Sequence, residues 1–138
     1  TDCLETLEEI GICVRSEFFR DLLGQDDWSF VIKLHALFES ACTHLLMFHF
    51  REPSLSSVFM RMDLSSKPIG KVSILGGIGL LGKEKRRFIA ELSELRNSLV
   101  HDVRNAEFSL RERAPLFRTV FQSSISDWLC DFAITLPD

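Results

Sequence analysis

The chain has 138 residues, one domain by length. A domain of this size buries about 68% of the surface its unfolded chain exposes, so it can build its own core. A net charge of −4 and a pI near 5.6 argue against a protein that grips duplex DNA mainly through phosphates, although a local basic patch stays compatible with them. Twelve Phe and no Tyr exclude any mechanism that needs a phenol.

The four cysteines, Cys3, Cys13, Cys42 and Cys130, form no C-x-x-C pair and match no Cys/His zinc spacing. Three of them fall among apolar neighbours in predicted helices, as free buried thiols do, which points to a reducing cytoplasm. The N-terminus is acidic rather than basic and then apolar, so no signal peptide is read. The longest uncharged apolar stretch, Val72 to Gly82, is short of the ~18–20 residues a bilayer span needs. The expected location is therefore cytoplasmic, with no membrane segment.

In chain order, Thr1 to Leu23 reads as a first helix. Asp2, Glu5, Glu8 and Glu9 stand in its early turns, where the helix dipole favours acids, and Gly24 ends it. Asp26-Asp27 caps a long second helix to about Arg51. Its apolar residues fall at Val31, Leu34, Phe38, Ala41, Leu45 and Phe48, with a second stripe of Phe30, Leu37 and Leu46. A helix apolar over so much of its circumference belongs in the middle of a bundle. Pro53 is expected to stop it.

Ser54 to Leu64 reads as a short irregular helix. Ser66-Lys67-Pro68 opens another, Ser as cap and Pro in the first turn, carrying Ile69, Val72 and Leu75. Lys83 to His101 is the next strong helix, with Phe88, Leu92, Leu95 and Leu99 in one stripe. Residues 102–105 form a loop, and Ser109-Leu110-Arg111-Glu112 has capping-box spacing. The last helix starts near Pro115 and carries Phe117, Val120, Phe121, Ser124, Trp128 and Phe132. No segment alternates with period two for long. The expected fold is all-α, a single antiparallel bundle of about five to six helices spanning residues 1–138.

Several segments invite chemistry. Gly77-Ile78-Gly79-Leu80-Leu81-Gly82-Lys83 fits both G-x-G-x-x-G and G-x-x-x-x-G-K. The first needs a preceding strand, and the second needs Ser or Thr where Glu84 stands. The segment reads as a helix–helix joint. Lys83, Lys85, Arg86 and Arg87 put four cations at a helix start, which the dipole opposes by ~0.3–1 kcal/mol per well-placed charge at low salt. They form either a solvated face or a contact for phosphate or an acidic partner. His35, His44 and His49 lack the i, i+4 spacing of a helical zinc pair and read as structural or interfacial. No metal and no cofactor is expected.

The segment Arg96-Asn97-Ser98-Leu99-Val100-His101 differs. At about 100° per residue, Phe88, Leu92, Leu95 and Leu99 cluster within about 60°, and Arg96 lies about 70° from the centre of that stripe. Asn97 and His101, one turn apart, point away from it together. Cleaving RNA without a metal needs a base for the 2′-hydroxyl proton and a cation for the phosphate, roles suited to His and Arg. Two such helices across a two-fold axis would supply two of each. The plain alternative is that His101 complements the helix C-terminus while Arg96 pairs with Glu91 or Glu94.

Arg96-Asn97-x-x-x-His101 resembles the motif of the HEPN superfamily, small helical bundles with an Arg, a following polar residue and a His. That resemblance implies a dimer, and in nuclease members metal-independent RNA cutting with Arg96 and His101 catalytic and Asn97 supporting. Toxin members often carry a Tyr two residues after the His; Val103 stands there, which removes modification of such a Tyr. The long helix Ser29 to Phe50, the stretch Ile69 to Leu81 leading into a charged helix, and His101-Asp102-x-x-Asn105-x-x-Phe108-Ser109 resemble the mannitol operon repressor family, over most of residues 26–135. This likeness implies a bacterial cytoplasmic regulator of transcription without a helix-turn-helix. It would be a homodimer through the Arg96, Asn97 and His101 face, with a protein partner or RNA. The alternative is a metal-independent endoribonuclease with a composite dimer site.

Overall fold

The computed structural model describes residues 21–66, 69–101, 114–117 and 119–121. Every regular element among them is helical, and none is a strand.

Helix α1 spans Asp27–Phe50. Asp26 stands before it in extended conformation, and its Oδ2 accepts from the Ser29 amide at 3.2 Å. This satisfies one of the first-turn donors that a helix leaves unpaired. The Ser29 hydroxyl, and then its amide, hold the Asp26 carboxyl below its ordinary pKa. Phe30, Val31, Leu34, Phe38, Ala41, Cys42, Leu45 and Leu46 are all buried, so the two expected stripes merge into one broad buried face. Phe48, placed on that stripe, is only half-buried.

The helix ends at Phe50, as expected to within a residue, but the cap that ends it stands before Pro53. Arg51 takes a left-handed conformation (φ 52°), and its amide caps Met47 O at 2.9 Å. Pro53 instead opens a 3-10 turn, Pro53–Leu55, that runs into α2, Ser56–Arg61. Phe59 is the buried residue of α2, its ring 5.6 Å from Phe50.

Helix α3 spans Lys71–Gly77, so its start differs from the Ser66 opening that the Ser-x-Pro pattern suggests. Residues 67 and 68 lie outside the described residues. Backbone bonds to the connecting segment just before it set the boundary: Gly70 N bonds Ser66 O, Lys71 N bonds Asp63 O and Val72 N bonds Leu64 O. These backbone carbonyls occupy amides that a side-chain cap would otherwise serve. A Cβ at Gly70 would stand 2.6 Å from Ser66 N and O, so the close approach demands glycine. Ile69 falls before the helix and is 70% exposed, while Val72 and Leu75 are buried.

The glycine-rich segment joins α3 to α4, with Gly79 at φ +79°. A helix rather than a strand precedes it, so the context of a dinucleotide-binding turn fails. Helix α4 runs Lys83–His101, as its periodicity predicts. Helical structure resumes at Phe117 after a turn at Pro115. Phe117 and Phe121 are buried, but Val120 is 40% exposed and does not share their stripe.

Helix α1 packs against α2, α3 and α4, and α3 against α4. By length and composition α1 would suffice to cross a bilayer, but its apolar face is occupied by these neighbours. Aromatic rings knit the centre. Phe88 on α4 stacks on Phe117 (4.6 Å, 15°) and is tilted against Phe38 of α1 (5.8 Å). Phe30 meets Phe121 edge-on (5.4 Å, 76°). The expected helices over residues 1–20 and beyond 121, with Cys3, Cys13 and Cys130, lie outside the described residues. Cys42 is fully buried, and desolvation pushes its thiol up to about 12.

Candidate functional site

Helix α4 positions both groups of candidate residues. Its core stripe of Phe88, Leu92, Leu95 and Leu99 is buried as expected. A second strip, Ile89 and Ser93, is also sealed, at 0% and 4% exposure. On a helical wheel Arg96 and Val100 extend that strip within about 60°. There the cover ends. Arg96 is half-buried, while Asn97, Val100 and His101 are exposed, Val100 at 46%. The C-terminal third of α4 thus continues a packed surface into an open one.

The structure brings Arg96 and Asn97 together: Arg96 Nη1 donates to Asn97 Oδ1 at 3.2 Å. Among the described residues no carboxylate pairs with Arg96, so the pairing with Glu91 or Glu94 does not form. His101 stands in the last turn on the exposed side shared with Asn97, and Asp102 lies outside the described residues. One chain presents one base, one cation and one amide.

Beneath this face lies a polar cluster that sequence reading missed. His35 of α1 is 8% exposed, and its Nε2 is 3.4 Å from Ser93 Oγ. Its Nδ1 is 3.8 Å from Glu39 Oε2, too long for a hydrogen bond. Lys71 of α3 is 1% exposed, with Nζ 3.7 Å from Glu39 Oε1. Glu39 itself remains 41% exposed. His35 and Ser93 are 58 residues apart, so only the fold unites them. The signal available in sequence was Lys71 itself, one turn before Leu75 on an otherwise apolar face.

Burial, and then the Arg96 charge, lower the His35 pKa, outweighing the Glu39 carboxylate that would raise it. Burial likewise lowers the pKa of His44, whose Nε2 is buried without a hydrogen-bond partner and whose ring packs on Phe48 at 4.4 Å. Both rings are neutral at pH 7. The unfolded chain takes up protons near the ordinary value of 6.5, before the folded one does. Stability is therefore fully present above that pH and falls as pH drops through it toward the lower folded pKa values. Chemical denaturation at pH 7.5 and pH 5.5 should show a lower midpoint at pH 5.5, with a smaller difference in His35→Gln. An identical difference in the variant would show that His35 does not contribute.

His49 is exposed beside Phe50 and does not join His35 or His44. Among the described residues no group of three His, Cys, Asp or Glu side chains is placed to hold a metal ion. At the other end of α4, the basic stretch divides. Lys83, Arg86 and Arg87 border one pocket, and Lys85 is not on its walls. No family model, curated protein or solved structure matches the chain.

Proposed function

We propose that the chain is a regulatory domain of the mannitol operon repressor-like, HEPN-type class. It is a bundle of five to six helices that acts in transcriptional control through partner contacts rather than a helix-turn-helix. The observation that carries this reading is the uncovered end of α4. A surface sealed at Ile89 and Ser93 continues into Arg96, Asn97, Val100 and His101, where an exposed apolar side chain sits among polar ones. A half-open apolar and polar strip of this kind suits a protein contact with a buried centre and a polar rim. A second copy across a two-fold axis is the simplest occupant, because the strip would then meet itself.

A second reading, a metal-independent endoribonuclease, is favoured by one detail. His101 is exposed and, among the described residues, Arg96 is engaged by Asn97 alone, so both can reach a phosphodiester. One set of proteins separates the two. Wild type should sediment as a dimer at micromolar concentration and Val100→Asp as a monomer, since an interface charge left unpaired is costly. A monomeric wild type would overturn the contact face. With EDTA-treated protein, RNA should stay intact for wild type, Arg96→Ala and His101→Ala alike under the regulatory reading. Cleavage by wild type, reduced roughly 10²–10⁴-fold in His101→Ala, would replace it with the nuclease.

A further inference from the structure

The basic start of α4 forms one side of a pocket of about 360 Å³. Lys83, Arg86 and Arg87 supply its charge, Ser65 and Ser73 its hydroxyls, and Val72 and Ala90 its apolar surface. Among the described residues no carboxylate lines it, and none pairs with these three cations. Arg86 is the most constrained of them. Its side chain lies across the end of α3 over Gly76, where a Cβ would stand 2.7 Å from Arg86 Cδ and 2.8 Å from Nη1. Its Nε is buried and bonds nothing.

Three like charges around one concavity repel one another, and the positive end of the α4 dipole adds to the repulsion. A bound anion relieves both. The volume lies in the small-molecule range of roughly 300–1,000 Å³. The mixed lining suits a charged head with a short carbon body: two guanidiniums for planar, multidentate contact with anionic oxygens, and apolar wall beside them.

We propose that this pocket binds the phosphate group of a small phosphate monoester. Arg86 and Arg87 hold the phosphate oxygens, Lys83 closes the exposed side, the Ser65 and Ser73 hydroxyls face the charge, and Val72 and Ala90 border the organic remainder. The site shares no residue with the α4 contact face, Arg86 and Arg96 being about 15 Å apart along the helix.

Thermal unfolding is measured with inorganic phosphate, glycerol phosphate, or chloride at matched ionic strength. Both phosphates should raise the midpoint by about 2 °C or more over chloride, saturably, because they bind the folded state alone. Arg86→Ala should weaken glycerol phosphate roughly tenfold or more in calorimetry. Gly76→Ala provides a second variant: alanine favours the helix, so the fold persists while Arg86 is displaced and affinity falls. An equal shift with chloride, or equal affinity in wild type and Arg86→Ala, would overturn the site. So would displacement of glycerol phosphate by a short RNA lacking any terminal phosphate, which would make the stretch a polyanion surface instead.

Discussion

Phe88→Ala is expected to cost about 3–5 kcal/mol, the range for truncating a buried phenylalanine. Phe88 is 5% exposed and among the described residues meets the rings of Phe38 on α1 and of Phe117 and Phe121 in the helical segment after Pro115. Its removal leaves a cavity where α1, α4 and that segment converge, and it forfeits ring pairs worth about 0.5–1.5 kcal/mol each. For a domain whose whole stability is about 5–15 kcal/mol, the melting temperature should fall by roughly 10–20 °C. Phe88→Leu keeps most of the buried area and should lose far less. A cost for Phe88→Ala below about 1 kcal/mol in urea titration would mean that the rings do not pack as described.

Lys71 leads to the second large effect, with opposite outcomes for two replacements. Its ammonium is withdrawn from water for one contact, with Glu39 at 3.7 Å. Lys71→Glu would set a buried carboxylate beside Glu39 and should cost about 3–5 kcal/mol, the range for an uncompensated buried charge. Lys71→Met keeps the stem's shape and removes the desolvated charge. Glu39 is 41% exposed and can turn to solvent, so this variant should be neutral or stabilised by about 1–4 kcal/mol. Equal destabilisation of both would show that the Lys71–Glu39 contact itself, rather than burial of charge, governs the site.

The parts of the fold legible in sequence were those whose causes are local. The limits of α4 follow from one apolar stripe between the glycine joint and His101, and α1 follows from Asp26 and a repeated three–four spacing. The start of α3 was misplaced because Ser66 and Pro68 satisfy a local capping rule. Carbonyls of residues 63, 64 and 66 overrule it through contacts that only the folded chain makes. The end of α1 was legible to within a residue, but its cause was not: proline is a visible signal, whereas an arginine in the left-handed region is not.

The site divides the same way. The direction of Asn97 and His101 away from the core follows from helical geometry alone. The Arg96 bond to Asn97 in place of an acid, and the His35–Ser93–Glu39–Lys71 cluster beneath it, depend on where α1 and α3 lie against α4. Those placements are long-range. The four basic residues could be read in sequence as a charge run, but their division into three around a pocket and one outside it could not.

Helix α4 contains neither proline nor glycine between Lys83 and His101, and its 19 residues extend about 28 Å. Such a rod is stiff, and it is clamped near its middle, where Ile89 and Leu92 are wholly buried. It therefore works as a lever with its fulcrum in the core: a tilt imposed at one tip appears at the other with opposite sense. Any load on the Lys83 tip that favours one tilt must change what docks at the His101 tip. Linkage makes the effect mutual, so docking would alter the hold on the first ligand by the same factor.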